Sequence, residues 1–401
     1  QFVGGIDIIV FGINVNNSIC KMPWHSICLS ANGDIKPCCQ FTNKGRPPNT
    51  EHDTIMENWN SQRMQDLRQA FLNGEKPADC NSCWERERQI GHSRRLWFEE
   101  KFGKYITKPT TDLIVDDPQI VQADINLSNV CNLKCRMCGS WASNSWFEEE
   151  VILGIKDRRY QKNIKPQSIR NVTVEDIRNI LPHLTDIKRI DFKGGEPMLA
   201  KHHDEFLQWM IDEGMTDVHL LYTTNGTVRN PGIIELFSKF KHVSLVFSIE
   251  GTGTRYSYIR GGKYDIEQIE SNMAAYNELP NVSINFNVTV QNYNLLNLKE
   301  LRELLFTWAD KYSNVDATSA FTTICNQPDY LSPLNVPDSM RDIALAQLDG
   351  IDDFKTLCRS LRTRKFDDTK WQTFIDFTRD LDNLRNENVV EHCPEFGEYF
   401  E

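Results

Sequence analysis

The sequence predicts an α/β protein built around a partial (β/α)6 barrel over residues 106–335. A cysteine-rich domain over residues 1–105 precedes it, and a helical C-terminal extension over residues 336–401 follows. Three observations carry that reading. From about residue 120 onward, short β-rich runs alternate with helical segments, the signature of parallel βα units. Nine of the twelve cysteines fall between Cys20 and Cys138, in a loop-rich first part of the chain. Residues 338–401 read as polar and helical, with no low-complexity stretch or internal repeat.

Strands are expected near 122–128, 187–192, 218–223, 243–249, 282–290 and 315–324, with helices near 174–181, 202–213, 231–239, 264–277 and 297–309. Ile266, Ile269, Met273 and Tyr276 show the helical spacing of apolar residues. Asn230-Pro231 is a good helix start and Gly214 a good stop. Six such strands make a barrel open on one side and TIM-like, with its chemistry at the strand C-termini. Before residue 100, Thr54-Ile-Met-Glu57 reads as a capping box. Ser61 can cap a second helix with Met64, Leu67, Arg68 and Phe71 on one face, which Asn73-Gly74 ends. His202 and His203 open a helix and are expected at the surface.

Composition narrows the function. A net charge of −11 argues against tight nucleic-acid binding, which needs a surplus of Lys and Arg. The apolar run Ile6 to Ile13 is far shorter than the ~20 residues of a membrane span, and no basic segment precedes it. A cytoplasmic protein with no membrane partner is therefore expected. There disulfides rarely persist, so clustered cysteines point to metal.

The loop after the first barrel strand reads Asn129-Val-Cys131-Asn-Leu-Lys-Cys135-Arg-Met137-Cys138-Gly139. Three thiolates from one loop can hold three irons of a [4Fe–4S] cubane and leave the fourth iron open to chelate a small molecule. The alternative is a zinc knuckle, but a closed zinc site wants a fourth Cys or His nearby and none follows.

With Gly194-Gly195-Glu196-Pro197 directly after the second strand, the chain resembles the radical S-adenosylmethionine (SAM) superfamily over nearly its whole length. The resemblance implies that Cys131, Cys135 and Cys138 hold the catalytic cluster, and that the Gly194-Gly195 backbone with Glu196 and Pro197 holds the SAM amino group. Thr224-Asn225-Gly226 ends the third strand and Ser248-Ile-Glu250-Gly251 the fourth, followed by Tyr258-Ile-Arg260-Gly-Gly262. By resemblance Thr224 and Asn225 belong to the SAM site, Ser248 binds the ribose or carboxylate, Arg260 binds the carboxylate, and Met137 packs on the adenine. Glu250 stands where the family usually has Asp. For Ser248 and Arg260 the structural alternative is a polar strand end and a solvated Arg.

The N-terminal region resembles the twitch or SPASM auxiliary-cluster domains of that superfamily, shortened to one cluster, and is placed before the barrel instead of after it. It implies an auxiliary [4Fe–4S] cluster on Cys20, Cys38, Cys80 and Cys83; a structural zinc site on the same residues is the alternative. Adjacent residues in an extended segment point oppositely, so Cys38 and Cys39 are not expected to share a cluster. Cys28, Cys39, Cys358 and Cys393 are expected as free thiols. Cys325 falls at the end of the sixth strand, where core packing and hydrogen-atom donation are both open. Trp141 and Trp146 either cover the cluster loop or belong to the core.

The family resemblance implies a radical SAM oxidoreductase or maturase. It would cleave SAM to a 5′-deoxyadenosyl radical, drawing electrons from a flavodoxin- or ferredoxin-type donor, and abstract hydrogen from an unactivated carbon. Peptide cross-linking or dehydrogenation is the first expectation; no separate leader-peptide recognition domain is visible, which keeps a sugar, cyclitol or other small-molecule dehydrogenase or epimerase close behind. A non-catalytic metal-binding interaction protein and a tRNA-modifying enzyme are the readings from other classes.

Overall fold

The computed structural model describes residues 19–31, 33–42, 54–156, 173 and 178–400. The chain forms two compact units, one of residues 1–28, 34–122 and 178–187, the other of residues 29–33, 123–177 and 188–401. The Ile6–Ile13 run and residues 174–177 of the helix predicted over 174–181 lie outside the described residues; 178–180 are helical.

In the first unit, α1 (Met22–His25), β1 (Ser26–Leu29), β2 (Ile35–Lys36), α2 (Ile55–Trp59), α3 (Gln62–Leu72), α4 (Asn81–Ile90) and α5 (Arg94–Phe102) follow in order. The capping box is present: Thr54 Oγ1 accepts from Glu57 N and the Glu57 carboxylate accepts from Thr54 N, satisfying two helix-end donors. Ser61 does stand at the N-cap of α3, but its side chain makes no capping bond. The packing of α3 is instead set by its buried face of Met64, Leu67, Arg68 and Phe71. Buried Arg68 donates to the carbonyls of Pro23, Trp59 and Leu113 and lies 4.5 Å over the Trp59 ring. One guanidinium thus ties three segments of a domain with little sheet.

In the second unit, β3 (Gln122–Asn126), β4 (Arg189–Lys193), β5 (His219–Thr224), β6 (His242–Ser248), β7 (Val282–Asn287) and β9 (Val315–Asp316) lie side by side in that order. From β4 to β9 the pairs are parallel, with Thr224 opposite Phe247 and Ser248 opposite Asn287. The run predicted as one strand over 282–290 breaks at Val288, whose N–H donates to Ala320 O; the short β8 (Thr289–Val290) then pairs with β10 (Thr323–Ile324). The strand predicted over 315–324 is likewise two pieces. The Asp316 side chain accepts from Thr318 N, an Asx turn that ends β9.

The connecting helices are α6 (Phe147–Lys156), α7 (His203–Asp212), α8 (Pro231–Phe237), α9 (Gly253–Arg260), α10 (Ile266–Asn277) and α11 (Leu298–Lys311). Asn230 caps α8 through its side chain, with Pro231 at the first helical position. His203 is not at the surface as expected: it is buried, bonded to Tyr222 O–H at 2.9 Å, and burial pulls its pKa down to about 4. The opposite face of the strands is polar. Lys193 pairs with Asp124 at 2.7 Å, Arg189 with Asp191 at 2.5 Å, and a His219–Ser244–Ser283 chain crosses β5, β6 and β7.

The C-terminal helices α12 (Asp338–Leu348), α13 (Lys355–Thr363), α14 (Asp368–Arg385) and α15 (Val389–His392) belong to the same unit as the strands. Tyr293 packs on Phe374 at 5.0 Å and its hydroxyl bonds Thr378.

Candidate metal centres

The chain leaves β3 through Ser128 and Asn129 into the cysteine loop, which is held by hydrogen bonds to several of its carbonyls and amides. Trp146 Nε1 donates to Cys135 O at 2.9 Å, Ser145 Oγ to Cys131 O at 2.7 Å and Ser143 Oγ to Leu133 O at 2.7 Å. Lys134 N and Arg136 N donate to the carbonyls of Gly261 and Ile259 at the end of α9. Fixed this way, the loop presents Cys131, Cys135 and Cys138, with Asn225 Nδ2 3.7 Å from Cys131 Sγ. Burial pushes all three thiols up, Cys138 to about 11, while the charge of Arg260 pulls each back.

Gly194 and Gly195 are needed for close approach of backbone to backbone. A Cβ on Gly195 would sit 2.1 Å from Val130 O, and one on Gly194, at φ +127°, 2.5 Å from Ser128 O. Gly195 N and Glu196 N donate to those two carbonyls, so the loop after β4 is laid directly on the cysteine loop. Glu196 is fully buried. Its Oε1 accepts from Thr224 Oγ1 at 2.8 Å and from Met198 N, and its Oε2 accepts from Asn225 N at 2.7 Å. Pro197 is buried and opens a single 3-10 turn. Glu196 therefore joins the ends of β4 and β5 as well as lying beside Cys131.

Arg260, at the end of α9, donates through Nη1 to Glu250 Oε2 at 2.8 Å, and both residues are buried. Its charge is felt by Cys135 and Cys131, and its Nε has no hydrogen-bond partner among the described residues. A buried guanidinium N–H left open beside three thiols is what the carboxylate of a small ligand would satisfy. Ser248 and Met137 are half-buried. The described residues hold no group of three or more His, Cys, Asp or Glu set to bind a single metal ion.

The sequence did not point to the support of this loop by the C-terminal extension. Arg136, between two of the cysteines, is wholly buried. It donates to Tyr258 O at 3.0 Å, Asp382 Oδ1 at 2.6 Å and Glu387, and its guanidinium lies 3.6 Å over the Tyr258 ring. Arg385, three residues beyond Asp382, forks onto Glu149 and donates to Lys134 O at 2.7 Å. The i, i+3 spacing of Asp382 and Arg385 on one helix was the available signal, but nothing in sequence named their partners.

In the first unit, Cys20, Cys38, Cys80 and Cys83 line one cavity, walled by Met22, Pro23, Phe41, Phe71 and Trp84. Cys39 is exposed and does not line it. Burial pushes the Cys20 thiol up to about 12, with the Cys83 thiol adding to the rise, and it raises Cys38 and Cys80 as well. Four thiols on one apolar cavity, Cys38 and Cys83 buried and Cys20 and Cys80 half-buried, suit a tetrathiolate iron–sulfur cluster, which deprotonates its ligands.

Cys28, Cys358 and Cys393 are buried. Cys325 follows β10, buried, its Sγ 3.6 Å from Gln327 O. Trp146 is core, whereas Trp141 is 62% exposed.

A model of the radical SAM superfamily matches residues 125–305, and a model of the SPASM iron–sulfur cluster-binding domain matches residues 20–84. No curated protein matches the chain. Among solved structures, SuiB of Streptococcus suis bound to the precursor peptide SuiA is 14% identical, with a TM-score of 0.36, covering 79% of this chain and 64% of that one. SuiB bound to S-adenosylmethionine is 16% identical, with a TM-score of 0.37, covering 83% and 62%. Native anSMEcpe with bound AdoMet and the Cp18Cys peptide is 14% identical, with a TM-score of 0.34, covering 55% and 58%. The chain thus spans less than two thirds of the length of these structures. Among the described residues no helix is long and apolar enough to cross a membrane.

Proposed function

We propose that this chain, which a radical SAM superfamily model matches over residues 125–305 and an iron–sulfur cluster-binding SPASM model over residues 20–84, is a radical SAM enzyme that catalyses net oxidation of a peptide, as a cross-link or a dehydrogenation. When bound, SAM and its [4Fe–4S] cluster supply a 5′-deoxyadenosyl radical that abstracts a hydrogen atom, and the auxiliary cluster supplies an electron acceptor.

The observation that carries the reading is the meeting of the three-cysteine loop, Glu196 and the Glu250–Arg260 pair in one buried place. Cys131, Cys135 and Cys138 are the ligands we assign to the catalytic cluster. Arg260, with Nε open, is assigned the SAM carboxylate, and Glu250 keeps the guanidinium in place. Gly194, Gly195, Glu196 and Pro197 are assigned to the amino group. Both carboxylate oxygens of Glu196 are already engaged, so it also holds Thr224 and Asn225 at the site. Ser248 and Met137 are assigned to the ribose and the adenine. Cys20, Cys38, Cys80 and Cys83 fill the four thiolate positions of the auxiliary cluster, leaving none for substrate. A flavodoxin- or ferredoxin-type protein is the electron donor we expect.

A second reading, dehydrogenation of a sugar, cyclitol or similar small molecule, is favoured by the Asp124–Lys193 pair on the polar strand face, with Lys193 at the C-terminal end of β4, whose carboxylate and amine can exchange partners with a hydroxylated ligand. Anaerobically reconstituted protein with a strong reductant and SAM should yield 5′-deoxyadenosine, and Ala at Cys131, Cys135 or Cys138 should abolish it; undiminished cleavage in those variants would remove the catalytic assignment. Mass spectrometry of peptides and of cyclitols incubated with the active enzyme, read for loss of two hydrogens, separates the two substrate readings.

A further inference from the structure

Among the described residues, Arg95 is the one charged side chain that lines the cavity of the first unit together with the four cysteines. Its placement begins in the sequence. Glu87 stands four residues after Cys83 on α4, so its carboxylate shares a helix face with a cavity cysteine. Ser93, the N-cap of α5, accepts from Leu96 N and donates to Glu87 Oε1 at 2.6 Å. Against that fixed carboxylate Arg95 sets a two-pronged fork, Nε to Oε1 at 3.0 Å and Nη2 to Oε2 at 2.7 Å. Its remaining nitrogen, Nη1, donates to the carbonyl of Ile19, the residue before Cys20, and its guanidinium lies 5.0 Å from the ring centroid of Trp84, the residue after Cys83. The side chain is 9% exposed.

A guanidinium held by a fork, a carbonyl and an aromatic face has no freedom to swing to water. Arg95 belongs to the cavity lining, whereas Glu87 does not. Other charged groups near the lining include buried Arg68, whose Nε donates to Pro23 O, Arg63, 5.7 Å from the Phe41 ring centroid, Lys76, 5.5 Å from that of Trp84, and Asp79, the residue before Cys80.

Resting on the assignment of the auxiliary cluster to these four cysteines, we propose that Arg95 is a positioning residue whose fixed charge stabilises the reduced state of that cluster, with Glu87 setting how strongly. A cubane on four thiolates is anionic, and one more electron adds charge to an apolar cavity that disfavours it. A buried cation beside the cavity offsets that cost more than the same charge would in water. The balance is simple. With a cluster held by Cys20, Cys38, Cys80 and Cys83, the substrate radical left after hydrogen abstraction would lose one electron to it and one proton to solvent, and would leave as the oxidised product.

The test is a potentiometric titration of the reconstituted full-length enzyme, following the auxiliary cluster by EPR, with the core cluster identified by its response to SAM. Arg95→Met should lower the potential enough to reduce the ratio of reduced to oxidised cluster at least about tenfold at fixed potential, 59 mV for one electron. Arg95→Lys should recover most of the loss, and Glu87→Gln should move the potential upward. Shifts of the same sign in Arg95→Met and Glu87→Gln, or no shift in either with full iron, overturn the proposal. If Arg95→Met fails to hold the cluster, Arg95→Lys and Glu87→Gln decide by the same signs. Wild-type protein with only four irons per chain would instead remove the ligand assignment, and the proposal with it.

Discussion

The two cysteine sites differ in how completely they close on themselves. At the cavity of the first unit four thiols face one space, and Arg95, the one charged lining residue among those described, is already bonded through every arm to the chain's own groups. At the loop after β3 there are three thiols, and the buried Arg260 beside them keeps an unsatisfied Nε. A site that satisfies all its polar groups internally is suited to hold a cluster and pass electrons. A site that leaves a buried charge-bearing N–H open is suited to receive an exchangeable ligand, because the ligand removes a standing desolvation cost.

The sharpest way to break that contrast is to count iron. Wild type should contain about eight irons per chain, two cubanes of four. Cys38→Ala should fall toward half while SAM binding is retained, and Cys39→Ala should stay near the full count, because only Cys38 lines the cavity. Equal losses in both variants would mean that the cavity is not the binding place.

A second test concerns what keeps the open site in shape. Removing Asp382 withdraws one of two carboxylates from buried Arg136, and breaking such a pair costs about 3–5 kcal/mol. Asp382→Ala should therefore lose iron from the core loop and melt earlier in the barrel unit, with the auxiliary EPR signal intact. Simultaneous loss of both signals would show a general folding defect instead of a local clamp.

The smallest effect is expected in SAM affinity. Arg260→Ala deletes a charge-assisted contact of about 1.5–3 kcal/mol, so affinity measured by calorimetry should drop roughly tenfold or more with iron unchanged. Unchanged affinity would leave Arg260 as a partner of Glu250 alone.

Much of this protein was determined by its sequence, wherever the deciding forces act within a turn or a strand. The capping box at Thr54 and Glu57, the Asn230-Pro231 helix start and the alternation along β5 and β6 depend only on neighbours a few positions away. The cysteine spacings and the Gly194-Gly195-Glu196-Pro197 loop are likewise written locally, since one loop must supply three thiols. Tertiary structure decided the rest. His203 looks like a surface residue until Tyr222 and Phe192 close over it. The split of the 315–324 segment follows from an Asx turn and from β8 offering β10 a partner. The grip of Asp382 on Arg136 joins residues 246 positions apart. Helical periodicity shows which face of a helix is covered, but only the closing of the chain brings a particular carboxylate to a particular buried guanidinium, and burial then makes that pairing obligatory.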